Sequence, residues 1–215
     1  MKYAASILGV NMKKYLFVIA LIIFSTLTAC AQKSRTVDKT ETENQIQGKD
    51  MKKVLVAYFS CTGNTRSVAE QIAQVAKAEL YEIKPQIPYT LEDLNWRNSS
   101  SRSNIERNAP SSRPAISNNV ENMEQYDIIF LGYPIWFGQA PNIISTFLER
   151  YDFSGKTIVP FCTSGTSPIG SSASNLHKLC PNNTTWLSGS RFTPNTSRSE
   201  IVKWINGLGL NITAE

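Results

Sequence analysis

Residues 52–77 read KKVLVAYFSCTGNTRSVAEQIAQVAK, and three patterns follow one another within them. KKVLVAYFS is a continuous apolar run behind two lysines, as expected for a strand buried on both faces of a parallel sheet. NTRSVAEQIAQVAK places Val68, Ile72 and Val75 at helical spacing with polar residues between them, so one face of a helix packs on that sheet. Between the two lies SCTGNT, residues 60–65, with three hydroxyls, a cysteine and a glycine. A strand–loop–helix turn of this kind presents unpartnered backbone N–H groups and the positive end of the helix dipole, about half a charge, to whatever the loop encloses.

The alternation continues downstream. ELYEIKP reads as a shorter strand, YDIIFLGYP as a strongly apolar one, PNIISTFLERY as a helix opened by Pro141, and KTIVPFCTS as another buried strand. SASNLHKLC and SEIVKWINGLG fit helices, the latter with Ile201, Trp204, Ile205 and Leu208 on one face. TTWLSGSRF is short and serine-rich, but a fifth strand at the sheet edge is what the alternation asks for. Strands alternating with helices imply right-handed crossovers and a parallel sheet covered on both faces. Residues 86–124, with SSSRSN and several prolines, interrupt this rhythm and read as a surface excursion near the carboxyl edge of the sheet, carrying short helical pieces such as NIERNA. At 215 residues, without an internal repeat, the chain suits one globular domain.

The N-terminal segment stands apart. Lys13 and Lys14 precede the apolar run YLFVIALIIF, which leads to LTAC ending at Cys30. This resembles a bacterial lipoprotein signal, with Leu27, the small residues Thr28 and Ala29, and a cysteine that becomes the acylated mature N-terminus. Met12 is an alternative start. The resemblance implies a signal peptide over residues 1–29, a lipidated Cys30 with a flexible polar tether over 30–50, and a folded domain over 51–215. The protein is then expected to be exported and held at a membrane of the cell envelope by its lipid alone, because each buried methylene contributes about 0.8 kcal/mol. Removing the leader takes away Lys2, Lys13 and Lys14 and no acid, so the formal net charge of +5 falls by three.

So small a charge, with no stripe of Lys and Arg on a helix, gives no case for nucleic acid. With Cys30 assigned to lipid, Cys61, Cys162 and Cys180 remain, an odd number without metal-like spacing beside the single His177, and no metal site is expected. Cys61 and Cys162 fall at strand ends within the expected pocket and read chiefly as small buried thiols.

The loop at residues 60–65 admits two chemistries. A phosphatase would attack with Cys61, but tyrosine phosphatases of low molecular weight place five residues between the cysteine and the arginine, and here four separate Cys61 from Arg66. The Asp-Pro pair expected to carry the general acid is missing as well. The alternative is a cradle that only holds a phosphate, with hydrogen bonds of roughly 1.5–3 kcal/mol each to the charged group.

SCTGNT matches every fixed position of the pattern [Ser/Thr]-x-Thr-Gly-x-Thr at the end of the first strand, and on it the chain resembles the flavodoxins from about Lys52 to Leu210. Two further stretches, GYPIWFGQAP and CTSGTSPIGSS, follow the third and fourth strands. The resemblance implies a flavodoxin-like, doubly wound α/β fold: a five-stranded parallel sheet of order 2-1-3-4-5 with helices on both faces and three loops gathered at its switch point. It also implies FMN as cofactor. Ser60, Cys61, Thr62, Gly63, Asn64 and Thr65 would take the phosphate, with Asn64 opening the helix and Arg66 a solvated neighbour. Trp136 would offer an aromatic face to the flavin ring, with Pro134, Ile135, Phe137 and Gly138 at its edge. Thr163, Ser164 and Gly165 would approach from the third loop.

The chain departs from the family pattern in three ways. Trp136-Phe137-Gly138-Gln139 lacks a glycine directly after the stacking residue and an acid next to it. The loop CTSGTSPIG carries no aromatic for the second ring face, so either Tyr89 or Trp96 covers it or it is open to a substrate. The near-neutral charge weakens docking on basic partners. Electron transfer to an unidentified redox partner is the expected function, with no catalytic residue. An FMN-dependent NAD(P)H quinone or azo reductase acting on a quinone-like substrate is the alternative, and a flavin-free binding module the third reading.

Overall fold

The structure, a computed structural model, describes residues 52–212. The expected signal peptide, Cys30 and the tether lie outside the described residues. Strand β1 (Val54–Tyr58) leads into helix α1 (Asn64–Val75) and β2 (Glu79–Glu82), and α2 (Arg102–Asn108) belongs to the excursion. Then come β3 (Ile128–Pro134), α3 (Asn142–Arg150), β4 (Thr157–Thr163), the short strands β5 (Thr185–Trp186) and β6 (Ser190–Phe192), and α4 (Arg198–Gly207). All pairings are parallel, in the expected order β2-β1-β3-β4-β5, with β6 also on β4.

Alternate residues of β1 divide between two cores, as the two-residue period of a strand requires. Val54, Val56 and Tyr58 pack with Val68, Ile72 and Val75 of α1 and with Ile201 and Ile205 of α4. Leu55, Ala57 and Phe59 face Ile143, Ile144 and Phe147 of α3. Ile116, Val120 and Met123 of the excursion join this second core, so the long segment is sewn to the sheet at its C-terminal end. Its polar part is docked by Glu106, whose carboxylate accepts from Arg102 Nε and Tyr89 Oη, each at 2.7 Å. Asn142 at the start of α3 donates to the Glu106 and Ala109 carbonyls at 2.9 and 3.0 Å.

Two expectations change in detail. The fifth strand is two pieces, because β5 pairs with β4 at Thr157 and Ile158 and β6 at residues 161–163. Between them stands Pro160, which has no N–H to offer the edge. There the chain swings so close that a Cβ on Gly189 would lie 2.7 Å from the Pro160 carbonyl oxygen. The expected helix SASNLHKLC is instead a pair of tighter 3₁₀ turns, Gly170–Ser172 and Ser174–Leu179. Serine hydroxyls that bond back to carbonyls three residues earlier, Ser172 to Ile169 and Ser174 to Ser171, compete with a regular α-helical ladder. Among the described residues no helix is long and apolar enough to cross a membrane.

Candidate functional site

The C-terminal ends of β1, β3 and β4 bring three loops around a cavity of about 580 Å³. In the first loop Gly63 takes a φ of +86° and stands at the N-cap of α1, where no side chain caps the helix. Its N–H donates to Ser60 Oγ at 3.1 Å, which folds the loop over the helix end. The first N–H groups of α1 therefore face the loop interior as donors. Ser60, Cys61, Thr62, Asn64 and Thr65 all line the cavity. Thr65 is 1% exposed, and its hydroxyl is not free as expected but shares a 2.8 Å bond with the Thr163 hydroxyl at the end of β4. That bond ties the first loop to the third. Arg66 turns away from the cavity to Glu82 at 2.5 Å.

The second loop is a tight turn. Trp136 and Gln139 exchange two backbone bonds of 2.9 Å, with φ of 51° at Phe137 and 79° at Gly138. Positive φ at both central residues is the type I′ arrangement, which glycine takes freely and a phenylalanine only under constraint. Two contacts supply that constraint: Arg107 lies over the Phe137 ring at 4.4 Å, and Asn175 donates to Gln139 Oε1 at 2.8 Å. Pro134, Ile135, Trp136 and Phe137 line the cavity. Gly63 and Gly138, expected among the contacts, are not in its wall; they shape the turns that build it.

Trp136 meets Phe59 and Tyr89 edge to face at 5.6 and 5.3 Å, so the indole is wedged by its neighbours. Tyr89 is thereby used as a support, with its hydroxyl on Glu106, and is absent from the cavity wall. Trp96 does line the cavity, 63% exposed, with the Arg97 guanidinium 4.3 Å above its ring. In the third loop Thr163, Ser164 and Gly165 all line the cavity. Arg191 holds this loop by donating to the Ser164 and Gly165 carbonyls, each at 3.0 Å.

Leu94 and Ser103 of the excursion and Thr193 and Pro194 after β6 complete the wall, and sequence reasoning did not identify them. Thr193-Pro194 does follow a strand at the same rim, a usable signal once that strand is placed. Leu94 and Ser103 carry no local signal at all. The cavity wall holds no charged side chain.

Burial pushes the Cys61 thiol up to about 12, against smaller opposing pull from Arg102, so at neutral pH it is protonated and no nucleophile. This is independent ground against thiol attack on a phosphate ester. Cys162, expected within the pocket, is instead fully buried in the core under α3, with its thiol also raised to about 12 by burial. Cys61, Cys162 and Cys180 are all free thiols.

Strand order, crossovers and a cavity at the carboxyl rim define a doubly wound α/β protein of the class that binds its ligand at the switch point. Residues 53–208 match the family described as Flavodoxin, and the chain belongs to that family. A solved structure from Bacteroides eggerthii DSM 20697, assigned as a flavoprotein, is 45% identical with a TM-score of 0.70, covering 74% of this chain and 98% of its own. A flavoprotein from Lactobacillus acidophilus NCFM, solved in complex with FMN, shares the fold at 24% identity and a TM-score of 0.52, over 72% of this chain and 99% of that one. An NAD(P)H dehydrogenase (quinone) of Acidovorax ebreus (strain TPSY) is 29% identical over 102 residues, 46% of this chain, and the match spans 46% of that relative's length.

Proposed function

We propose that this cavity holds FMN and that the chain serves in electron transfer. The observation that carries the reading is the coincidence of an uncapped helix N-terminus, hydroxyl donors and no charged side chain in one cavity of about 580 Å³. A phosphate dianion is best held where donors converge and no carboxylate repels it, and a flat ring needs an apolar wall such as Trp136 supplies. The volume lies in the range of about 300–1,000 Å³ usual for cofactor sites. Residues 60–65 bind the phosphate, Trp136 and residues 163–165 orient the ring, and Trp96 limits water at the mouth. Bound FMN would supply one- and two-electron redox chemistry.

A second reading, an FMN-dependent NAD(P)H quinone reductase, is favoured by the likeness to the Acidovorax enzyme and by the absence of an aromatic side chain from the third loop in the cavity wall. The purified full chain tests both. A yellow protein inert to NADH and NADPH with a quinone supports the carrier, and turnover promotes the reductase. A colourless protein that also refuses added FMN leaves a binding module. Thr62→Val with Thr65→Val should weaken FMN by roughly 10–100-fold, the loss expected for one charge-assisted hydrogen bond or more; unchanged affinity in a folded variant refutes the cradle.

Acylation of Cys30, and with it attachment at the cell envelope, belongs to the same proposal on the strength of LTAC behind an apolar run. Palmitate labelling of cells that make the full chain should be lost in Cys30→Ala. Equal labelling of wild type and variant defeats it.

A further inference from the structure

A second cavity, of about 550 Å³, shares the wall formed by Trp136 and Phe137 with the first and opens between α2, α3 and the 3₁₀ turn Ser174–Leu179. Its charges separate into satisfied and unsatisfied ones. Glu106 is taken by Arg102 and Tyr89, and Arg113 by both oxygens of Glu149 at 2.7 and 2.8 Å. The amide nitrogens of Asn142 and Asn175 are likewise spent on protein acceptors. Two cations are left over. Arg107 rests on the Phe137 ring, and Lys178, exposed, has no ion-pair partner among the described residues. Much of the remaining wall is apolar, with Pro110, Ala140, Pro141, Leu176 and Leu179 beside the two aromatic rings.

We propose that this second cavity binds a flat organic anion, an aromatic or fused-ring body bearing one sulfonate or carboxylate. The ring system packs on the aromatic wall and the anionic group reaches Arg107 and Lys178, the planar guanidinium matching a two-oxygen acceptor. Such a ligand would sit next to the cavity assigned to FMN without entering it. The site goes beyond the flavin reading and does not need it.

The probe is 1,4-naphthoquinone-2-sulfonate, titrated calorimetrically into the full chain with and without FMN, with the neutral 2-methyl-1,4-naphthoquinone as control. Wild type should prefer the sulfonate at least about tenfold. Lys178→Gln and Arg107→Gln should each cut the preference for the sulfonate over the neutral quinone about threefold and together abolish it. Arg107→Lys should recover part of the loss, and Lys178→Gln should bind FMN as wild type does. Equal affinity for the two quinones in wild type, a preference that survives the double substitution, or displacement of FMN by the probe overturns the inference. A chain that refuses FMN yet shows charge-dependent sulfonate binding sinks the flavin reading and leaves this one standing.

Discussion

A Cβ built on Gly132 would stand 2.2 Å from Cζ of Phe161, its partner across β3 and β4, so the glycine is the space into which that ring fits. Gly132→Ala should therefore lower stability by about 1–3 kcal/mol, the usual cost of overpacking, read from the midpoint of urea unfolding. An unchanged midpoint would mean the ring has room elsewhere. Cys162 carries a pH signature. Its thiol is raised from an ordinary value near 9 to about 12 by burial, so the folded chain keeps it neutral where the unfolded chain would ionise it. The stability this supplies is complete below about pH 9 and lost as pH rises through about 12. Between about pH 8 and about pH 11 the wild type should lose thermal stability more steeply than Cys162→Ala, and parallel curves would refute the assignment. In the chain itself Cys61 and Cys162 look alike, each near the end of an apolar run. Only the neighbours across the sheet put one in the cavity wall and the other in the core.

Helices α1 and α4 begin in opposite ways. Ser197 and Glu200 close a full capping box at α4, the Ser197 hydroxyl accepting from the Glu200 N–H and the Glu200 carboxylate accepting from the Ser197 N–H. Helix α1 opens behind a left-handed glycine with no side-chain cap. Helices α2 and α3 also lack a side-chain cap, and what sets α1 apart is that its open end lies at the wall of the first cavity beside three hydroxyl-bearing residues. Ser197→Ala should cost about 1 kcal/mol in chemical unfolding and leave FMN affinity untouched, since no residue of α4 lines the cavity. A drop in affinity would show that α4 reports to the site. The helical pattern SEIVKWINGLG starts at Ser199, two residues past the capping serine, and the split between β5 and β6 was not visible at all. A proline in an apolar run reveals its missing N–H only when the strand that would have bonded to it is known.

Two cores, one on each face of a five-position sheet, hold the rim loops in place, and the loops are joined by the Thr65–Thr163 bond and by Arg191 on the third loop. A ligand that binds this assembled rim and not the unfolded chain must stabilise the whole domain. FMN at about 100 times its Kd should add about 2.7 kcal/mol, a rise in Tm of roughly 5–10 °C for a chain of this size. No shift at saturating FMN would contradict the site assignment. Most strand and helix positions were legible because they rest on local periodicity, and the sheet order was legible only through the family resemblance that the turn pattern at residues 60–65 carries. The spacing of the loops was not. Leu94 and Ser103 reach the cavity, and Tyr89 props Trp136 instead of covering a ring, because the excursion is buried against the core of β1 and α3, while Thr193 and Pro194 reach it because β6 pairs with the end of β4. Such contacts follow from three-dimensional packing, which leaves no periodic trace along the chain, whereas alternation of strand and helix is written in the side-chain pattern of each element.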